Sequence, residues 1–135
     1  NQTKRMIKFP QVIEKDGPKA LFLAASMGRL SVSSILIRSG VNPNEEIENG
    51  LTPIFGAAQY GCVQEMSLLL NAGADVNHKA NVNWTLLRLA VGKGNYGAAR
   101  FIIKNGYIYS ESEQLGIKMY LDKLKSPSMY AYIFN

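Results

Sequence analysis

The apolar residues between positions 49 and 77 predict two short helices that pack against each other. Val63, Met66 and Leu69 are spaced three residues apart, so they fall on one face of a helix. Ala57 and Ala58 precede them and are small enough for a second helix to lie close. The pattern therefore predicts a helix–turn–helix unit across residues 53–72.

The residues at the ends of this unit indicate where each helix starts and stops. Thr52 and Pro53 can open the first helix. Proline has no backbone N–H, but the N–H groups in the first turn of a helix have no partner within the helix, so none is lost there. Gly61 suits the turn between the helices, since glycine adopts positive φ at little cost. Gly73 ends the second helix, and residues 75–77 are typical of a turn that leads to another unit.

The same unit recurs along the chain with a spacing of 33 residues. The recurring sets are Gly28, Gly61 and Gly94; Gly40, Gly73 and Gly106; Ala24, Ala57 and Ala90; and Leu36, Leu69 and Ile102. Repetition at such a period indicates a stack of similar units. The register predicts further helices near residues 20–27, 31–39, 85–93 and 96–105.

The central stretch, NGLTPIFGAAQYGCVQEMSLLLNAGADVN, resembles one ankyrin repeat almost from end to end. The family pattern is G-x-T-P-L-H-x-A-A-x-x-G, then an apolar helix, then L-L-x-x-G-A-D-x-N. No copy keeps the histidine, whose usual hydrogen bond ties turn to helix: Phe22, Phe55 and Arg88 take its place. We expect the two phenylalanines to replace that bond by packing. The resemblance covers roughly residues 14–110 and implies an all-α ankyrin-repeat solenoid.

We divide the chain into one domain over residues 1–135 with short hairpin loops between its units. Residues 1–13 form an N-terminal cap or the remnant of an earlier repeat. The three recognisable repeats cover residues 14–46, 47–79 and 80–112, and a divergent capping repeat covers residues 113–135. A stack needs such an end unit because its last apolar face would otherwise meet water.

The register predicts details of the last unit. Gly116 should lie in a fourth hairpin, and Pro127 should take the place of the glycine between the helices. A helical apolar face is expected, followed by a short helix over residues 128–134. That apolar face comprises Leu115, Met119, Tyr120 and Leu124. We expect the aromatic residues Tyr130, Tyr132 and Phe134 to seal the core rather than to dock a partner.

Composition is typical of an ordinary globular chain, with 47% hydrophobic and 19% charged residues. No apolar run approaches the ~20 residues of a membrane span, and the start lacks the apolar segment of a secretory signal. Cys62 is the only cysteine, which excludes an internal disulfide and fits an intracellular location, cytoplasmic or nuclear. The chain starts with Asn1 rather than methionine, so we expect a piece of a longer protein.

Charge and chemistry argue against several classes of function. The net charge is +5, but an acidic run at residues 45–48 separates the basic ends, so no continuous nucleic-acid-binding face is expected. His78 is the only histidine and is expected to be an exposed linker residue, so no histidine-based metal site can form. No nucleophile elbow or P-loop is present. We therefore predict no enzyme, cofactor or metal.

The resemblance implies a partner-binding surface made of hairpin tips and the exposed side of the first helices. It nominates Met27, Glu46, Glu48, Asn49, Leu51, Gln59, Tyr60, Lys79, Asn81, Val82, Trp84 and Lys93. Less central positions are Lys15, Asp16, Pro18, Ser26, Lys125 and Ser126. Trp84 and Tyr60 would be the centre, because tryptophan and tyrosine are enriched among interface hot spots. Alternatively, Trp84 folds onto its neighbouring hairpin and joins repeats two and three.

Asn77 has a second resemblance of its own. Together with Leu69, Asp75 and Val76 it looks like the L…D-V-N context that asparaginyl hydroxylases modify in eukaryotic ankyrin repeats. The structural alternative is a turn residue that hydrogen-bonds its own backbone.

The sequence thus predicts a monomeric, non-catalytic module that binds another protein through a concave groove. One alternative is a regulatory or scaffolding segment that docks within a larger protein, such as an enzyme or a bacterial effector secreted into the host cytosol. Another is binding of anionic lipid or nucleic acid by the terminal lysines, which would weaken strongly with salt.

Overall fold

A computed structural model describes residues 16–81 and 85–135 as four consecutive helix pairs. Within these ranges the chain is helical and contains no strand. The helices are α1 (residues 16–26), α2 (Leu30–Arg38), α3 (Pro53–Tyr60), α4 (Val63–Asn71), α5 (Leu86–Gly92), α6 (Tyr96–Lys104), α7 (Glu111–Lys123) and α8 (Pro127–Phe134). A short 3₁₀ turn, Glu48–Gly50, lies in the loop before α3. The predicted all-α stack of helix pairs is confirmed.

The turn inside each repeat depends on a left-handed glycine. Gly61 follows α3 with φ 74°, and its N–H bonds the carbonyl of Ala58. The equivalent glycines, Gly28 and Gly94, have φ values of 69° and 75°. A side chain would be strained at this conformation, which explains why glycine recurs there.

The core runs along both layers of helices. In the first-helix layer, Ala57, Ala58 and Ala90 are fully buried, and α3 lies in direct contact with α5. In the second-helix layer, Leu69 and Ile102 are fully buried. The predicted apolar faces of the two central repeats are therefore the faces that the stack buries.

The last helix pair departs from the predicted register. Gly116 lies inside α7, so the hairpin predicted there is wrong. The helix starts earlier because Ser110 caps it, its hydroxyl oxygen accepting the N–H of Glu113 at 3.0 Å. Pro127 opens α8 rather than forming the turn, and Lys125 takes the left-handed conformation with φ 59°.

The departure from the predicted register also turns the opposite face of α7 toward the core. The predicted apolar residues Leu115 and Met119 are 57% and 63% exposed, and Tyr120 and Leu124 are exposed too, so that prediction is wrong. Lys125 lies two residues earlier than the 33-residue period requires, and two residues rotate a helical face by about 200°. Ile117 and Leu121 are buried instead.

The aromatic tail seals the end of the core in part, as expected. The Phe134 ring lies 4.9 Å from that of Tyr130 and 5.1 Å from that of Tyr109. The Tyr130 hydroxyl accepts a hydrogen bond from Gln114 at 2.7 Å. Tyr132 is 43% exposed and lies under the Arg100 guanidinium, so it belongs to the surface.

Some sequence predictions fall on residues that lie outside the described ranges. These are the N-terminal cap at residues 1–13 and the surface candidates Lys15, Val82 and Trp84. Among the described residues, no helix is both long enough and apolar enough to cross a membrane.

Candidate partner-binding surface

Three predicted residues occupy equivalent places at the ends of the first helices. Met27 follows α1, Tyr60 is the last residue of α3 and Lys93 follows α5, each 33 residues from the next. Met27 and Tyr60 are both 62% exposed, and Lys93 is exposed as well. The left-handed glycine next in the chain fixes each position. We call Met27, Tyr60 and Lys93 the first-helix row.

The loop between the first and second repeats is joined to the loop that follows α4. The carbonyl of Asn49 accepts the N–H of Asn81 at 2.9 Å, and Asn49 itself has φ 65°. Gly50 is buried beneath this contact, where a Cβ would lie 2.7 Å from the Asn81 side chain. Asn49 and Asn81 thus fix the two loops relative to each other, and Leu51 beside them is half-buried.

His78 is part of this junction rather than an exposed linker residue, so that prediction is wrong. Its side chain is 20% exposed, and Nε2 lies 2.9 Å from the Gly50 carbonyl and 3.0 Å from Glu46 Oε2. The Phe55 ring meets the imidazole edge-on, with centroids 6.3 Å apart. Phe55 does replace the family histidine by packing, but it packs on His78, which supplies a hydrogen bond to the turn.

The other predicted residues differ in how available they are. Glu48 is exposed and lies 3.6 Å from Lys19, a surface pair that contributes at most about 1 kcal/mol. Gln59 is half-buried, and its carbonyl accepts a bond from Asn95 at 2.6 Å. Ser26 is buried and donates to the Phe22 carbonyl at 2.8 Å, so the structure removes it from the surface.

The remaining candidates are placed as follows. Lys79, Asp16 and Lys125 are exposed, and Pro18 and Ser126 are half-buried. Val82, Trp84 and Lys15 lie outside the described residues.

Asn77 joins successive repeats, which corrects the expectation that its side chain bonds its own backbone. Its Nδ2 donates to the Gly106 carbonyl at 3.1 Å, and its Oδ1 accepts the N–H of Ile108 at 2.7 Å. The local turn is instead held by Asp75, whose carboxylate accepts the Asn77 N–H at 2.8 Å. Asn44, 33 residues earlier, makes the same pair of bonds to the second repeat.

A groove that the sequence did not predict opens between α5 and α7. Its volume is about 590 Å³, within the usual range for ligand sites. Its lining comprises Lys79, Thr85, Arg88, Val91, Gly92, Ile108, Ser110, Ser112, Glu113, Gly116, Ile117 and Tyr120. We call it the α5/α7 groove. Only Lys79 among these residues belongs to the predicted surface.

The groove exists because the first-helix layer opens here while the second-helix layer stays closed. The backbones of α5 and α7 barely approach each other, whereas α6 and α8 are in close contact. A polar cluster bridges the N-terminal ends of α5 and α7: the Glu113 carboxylate accepts hydrogen bonds from the Thr85 and Tyr107 hydroxyls. The Tyr107 oxygen lies 3.1 Å from both carboxylate oxygens. Burial, with the nearby Glu113 charge, raises the pKa of Tyr107 to about 12.

Two helical glycines leave the groove wide. A Cβ placed on Gly92 or Gly116 would meet no atom within 4 Å, so no packing contact requires glycine there. Gly116 lies within α7, where glycine costs about 1 kcal/mol relative to alanine. These glycines, and the Ser110–Glu113 capping pattern, are the sequence signals that could have indicated the groove.

A buried carboxyl group lies at the contact of the second helices α2 and α4. Glu65 is fully buried, and its Oε2 accepts the Ser33 hydroxyl at 2.6 Å. Its other oxygen has no partner among the described residues. Burial raises the pKa of Glu65, although the Ser33 hydrogen bond opposes that shift, and burial followed by the Glu65 charge raises the pKa of the half-buried Cys62. This group belongs to the packing of the stack.

The part of the chain that the structure describes holds no cluster of three or more side chains suited to a metal ion. The first-helix row, the joined loops and the α5/α7 groove are among the exposed features of this part.

Comparison with known proteins identifies the family. A family profile described as ankyrin repeats in three copies matches residues 21–112, so the chain belongs to the ankyrin repeat family. Ankyrin repeats are generally protein–protein interaction modules, and nothing in these comparisons points to catalysis.

Relatives of known name are much longer than this chain. Human "Ankyrin repeat and KH domain-containing protein 1" is 35% identical over 96 residues, which are 70% of this chain and 4% of that protein. The Caenorhabditis elegans "Ankyrin repeat and KH domain-containing protein mask-1" is 38% identical over 89 residues, 65% of this chain and 3% of that protein. The chain thus spans only a few per cent of the length of these relatives.

Proposed function

We propose that this chain is a non-catalytic module that binds a partner protein with its joined loops and first-helix row. The observation that carries the proposal is the first-helix row itself. A methionine and a tyrosine, each 62% exposed, stand at equivalent turns of neighbouring repeats. The stack fixes their spacing without using their side chains in its core.

The chemistry of this surface suits a protein partner. Tyrosine provides a large contact area with few rotatable bonds and is enriched at binding hot spots. Charged residues of both signs accompany this surface, since Glu46, Glu48, Lys79 and Lys93 are all exposed. Such a polar rim around an apolar centre is typical of specific protein interfaces. Within this proposal the chain is monomeric and works in the cytoplasm or nucleus, or in a host cytosol if it is secreted.

The test compares captured proteins for three baits: the wild type, the double variant Tyr60→Ala with Trp84→Ala, and Tyr132→Ala. Tyr132 is the control, since it is a partly exposed tyrosine on α8. Proteins recovered by the wild type are quantified, purified and titrated directly. We expect the double variant to lose at least tenfold in affinity and the control to match the wild type. Equal binding by all three would show that this surface is not the binding surface.

Docking within a longer protein is a second candidate, favoured by the few per cent of its relatives' length that the chain spans. It would use the same surface but a partner from the same polypeptide. Adding the purified remainder of the full-length protein to this chain distinguishes the two. Binding there, lost in the double variant, supports internal docking, and its absence supports a separate partner.

A further inference from the structure

We propose that the α5/α7 groove binds an extended, acidic segment of the partner protein, whose carboxylate is held by Lys79 and Arg88. This inference rests on the proposed function and adds a specificity to it. The groove lies beyond the first-helix row, so the two surfaces can be altered separately.

The charges in the groove favour an anionic group. Lys79 and Arg88 line it, and neither has an ion-pair partner among residues 16–81 and 85–135. The one carboxylate in the lining, Glu113, already accepts hydrogen bonds from Thr85 and Tyr107. An arginine guanidinium is well suited to a carboxylate, because its N–H groups match both oxygens.

The rest of the lining suits a peptide chain. Ile108 and Tyr120 are 76% and 40% exposed and supply apolar surface for one side chain of the ligand, while Val91 and Ile117 lie buried in the same lining. The hydroxyl-bearing Ser112 is exposed beside them and can bond a peptide backbone.

The two glycines give the ligand its space. Gly92 and Gly116 line the groove, and a Cβ on either would meet nothing within 4 Å. The Cβ of a side chain at Gly116 therefore fits without displacing any protein atom, and we expect a leucine there to extend into the groove. Such a substitution blocks the site while leaving the fold intact, which makes it a sharp probe.

A nucleic acid is the less suitable occupant. Two cations with a carboxylate at one end do not make the continuous positive track that a phosphate backbone requires. A single carboxylate with an apolar neighbour matches the lining better.

The experiment selects ligands from a displayed library of random ten-residue peptides on the immobilised wild-type chain. Peptides are selected against Arg88→Glu as a counter-bait, and their affinities are then measured by fluorescence polarisation. We expect the selected peptides to share an aspartate or glutamate. Arg88→Glu and Gly116→Leu should each weaken binding about tenfold or more, as loss of a charged hydrogen bond or of access implies.

Two controls separate this proposal from the broader one. Arg38→Glu reverses an exposed charge at the end of α2, outside the groove lining and the first-helix row, and should bind the peptides within twofold of wild type. Thermal melting must show Gly116→Leu to be at least as stable as wild type, so that lost binding reflects a filled groove. Loss of partner binding in Tyr60→Ala without loss in Arg88→Glu would overturn the groove proposal and leave the first-helix row supported.

Three other outcomes would also overturn the proposal. These are a selection that yields no peptide above the counter-bait, selected peptides without a shared acidic residue, and a single-stranded oligonucleotide that binds more tightly than the peptides.

Discussion

The contact between the second and third repeats and the contact between the third repeat and the last helix pair use the same two layers of helices. In the first contact, α3 and α5 touch directly, because fully buried Ala57, Ala58 and Ala90 let them approach. In the second, α6 and α8 touch closely while α5 and α7 stand apart. A helical stack can therefore be closed in one layer and open in the other.

Side-chain size and anchoring explain the difference. The face of α7 toward the groove carries Glu113, Ile117 and Tyr120 rather than alanines. Glu113 holds the N-terminal ends of the two helices together through Thr85 and Tyr107, so the groove is bounded there by polar contacts. The end of the stack thus offers a site that the closed middle cannot.

The largest expected effect on the free energy of unfolding comes from the buried face of α7. Leu121→Ala should lower the free energy of unfolding by about 2–5 kcal/mol, because Leu121 is fully buried. Met119→Ala, two residues away and 63% exposed, should change it by no more than about 0.5 kcal/mol. Urea unfolding of both variants measures this, and equal losses would mean that the face of α7 is misassigned.

The polar cluster of Glu113, Thr85 and Tyr107 should make the stability of the fold depend on pH above neutrality. The pKa of Tyr107 is raised to about 12 in the folded chain against 10.0 for the free group, so the folded state keeps its proton longer. The stability that this group contributes is fully present below pH 10 and is lost as the pH rises from 10 to about 12. The total loss in the free energy of unfolding is about 2–3 kcal/mol.

The check is urea unfolding at pH 9 and pH 11 for wild type and Tyr107→Phe. The variant should be less stable at pH 9 and should show a smaller decline between the two values. A decline in the variant as steep as that in wild type would show that Tyr107 does not cause this pH dependence.

A smaller effect on stability is expected in the second-helix layer. There, Glu65 in α4 takes the place that Ala98 takes in α6. Burial raises the pKa of Glu65 above 4.5, so the folded state favours its protonated form. The stability that this group contributes is therefore present at low pH and falls as the pH rises through the raised pKa.

Glu65→Gln should flatten this part of the profile of unfolding free energy against pH. The matched control is Glu111→Gln, on an exposed position of α7. If the stability of Glu65→Gln declined with rising pH as steeply as that of wild type, the raised pKa of Glu65 would be contradicted.

The sequence predicts the closed contact between the second and third repeats far better than the open contact between the third repeat and the last helix pair. The 33-residue spacing of glycine, alanine and leucine places both helices of the third repeat, and the outer bounds of the helix pair of the second, within one residue of those observed. This success has a physical reason: each of those positions is constrained by the same turn and the same neighbouring helix.

The last helix pair escapes that period because local capping outweighs it. Ser110 starts α7 early, and Lys125 makes the turn two residues ahead of the register. The contacts of Asn77 and His78 were equally beyond sequence reasoning, since both side chains bond backbone about thirty residues away. The α5/α7 groove arises because α5 and α7 stand apart while α6 and α8 pack closely, and only the helical glycines and the Ser110–Glu113 capping pattern indicate it in the sequence.

The most direct measurement places the same side chain in both contacts. Gly116→Leu should raise the free energy of unfolding by about 0.5–1 kcal/mol, because it removes a helical glycine and fills open space. Ala58→Leu should lower it by about 1–3 kcal/mol, because Ala58 is fully buried. The urea unfolding midpoints of the two variants should therefore move in opposite directions. A loss of stability in Gly116→Leu as large as that in Ala58→Leu would show that the α5/α7 contact is closed.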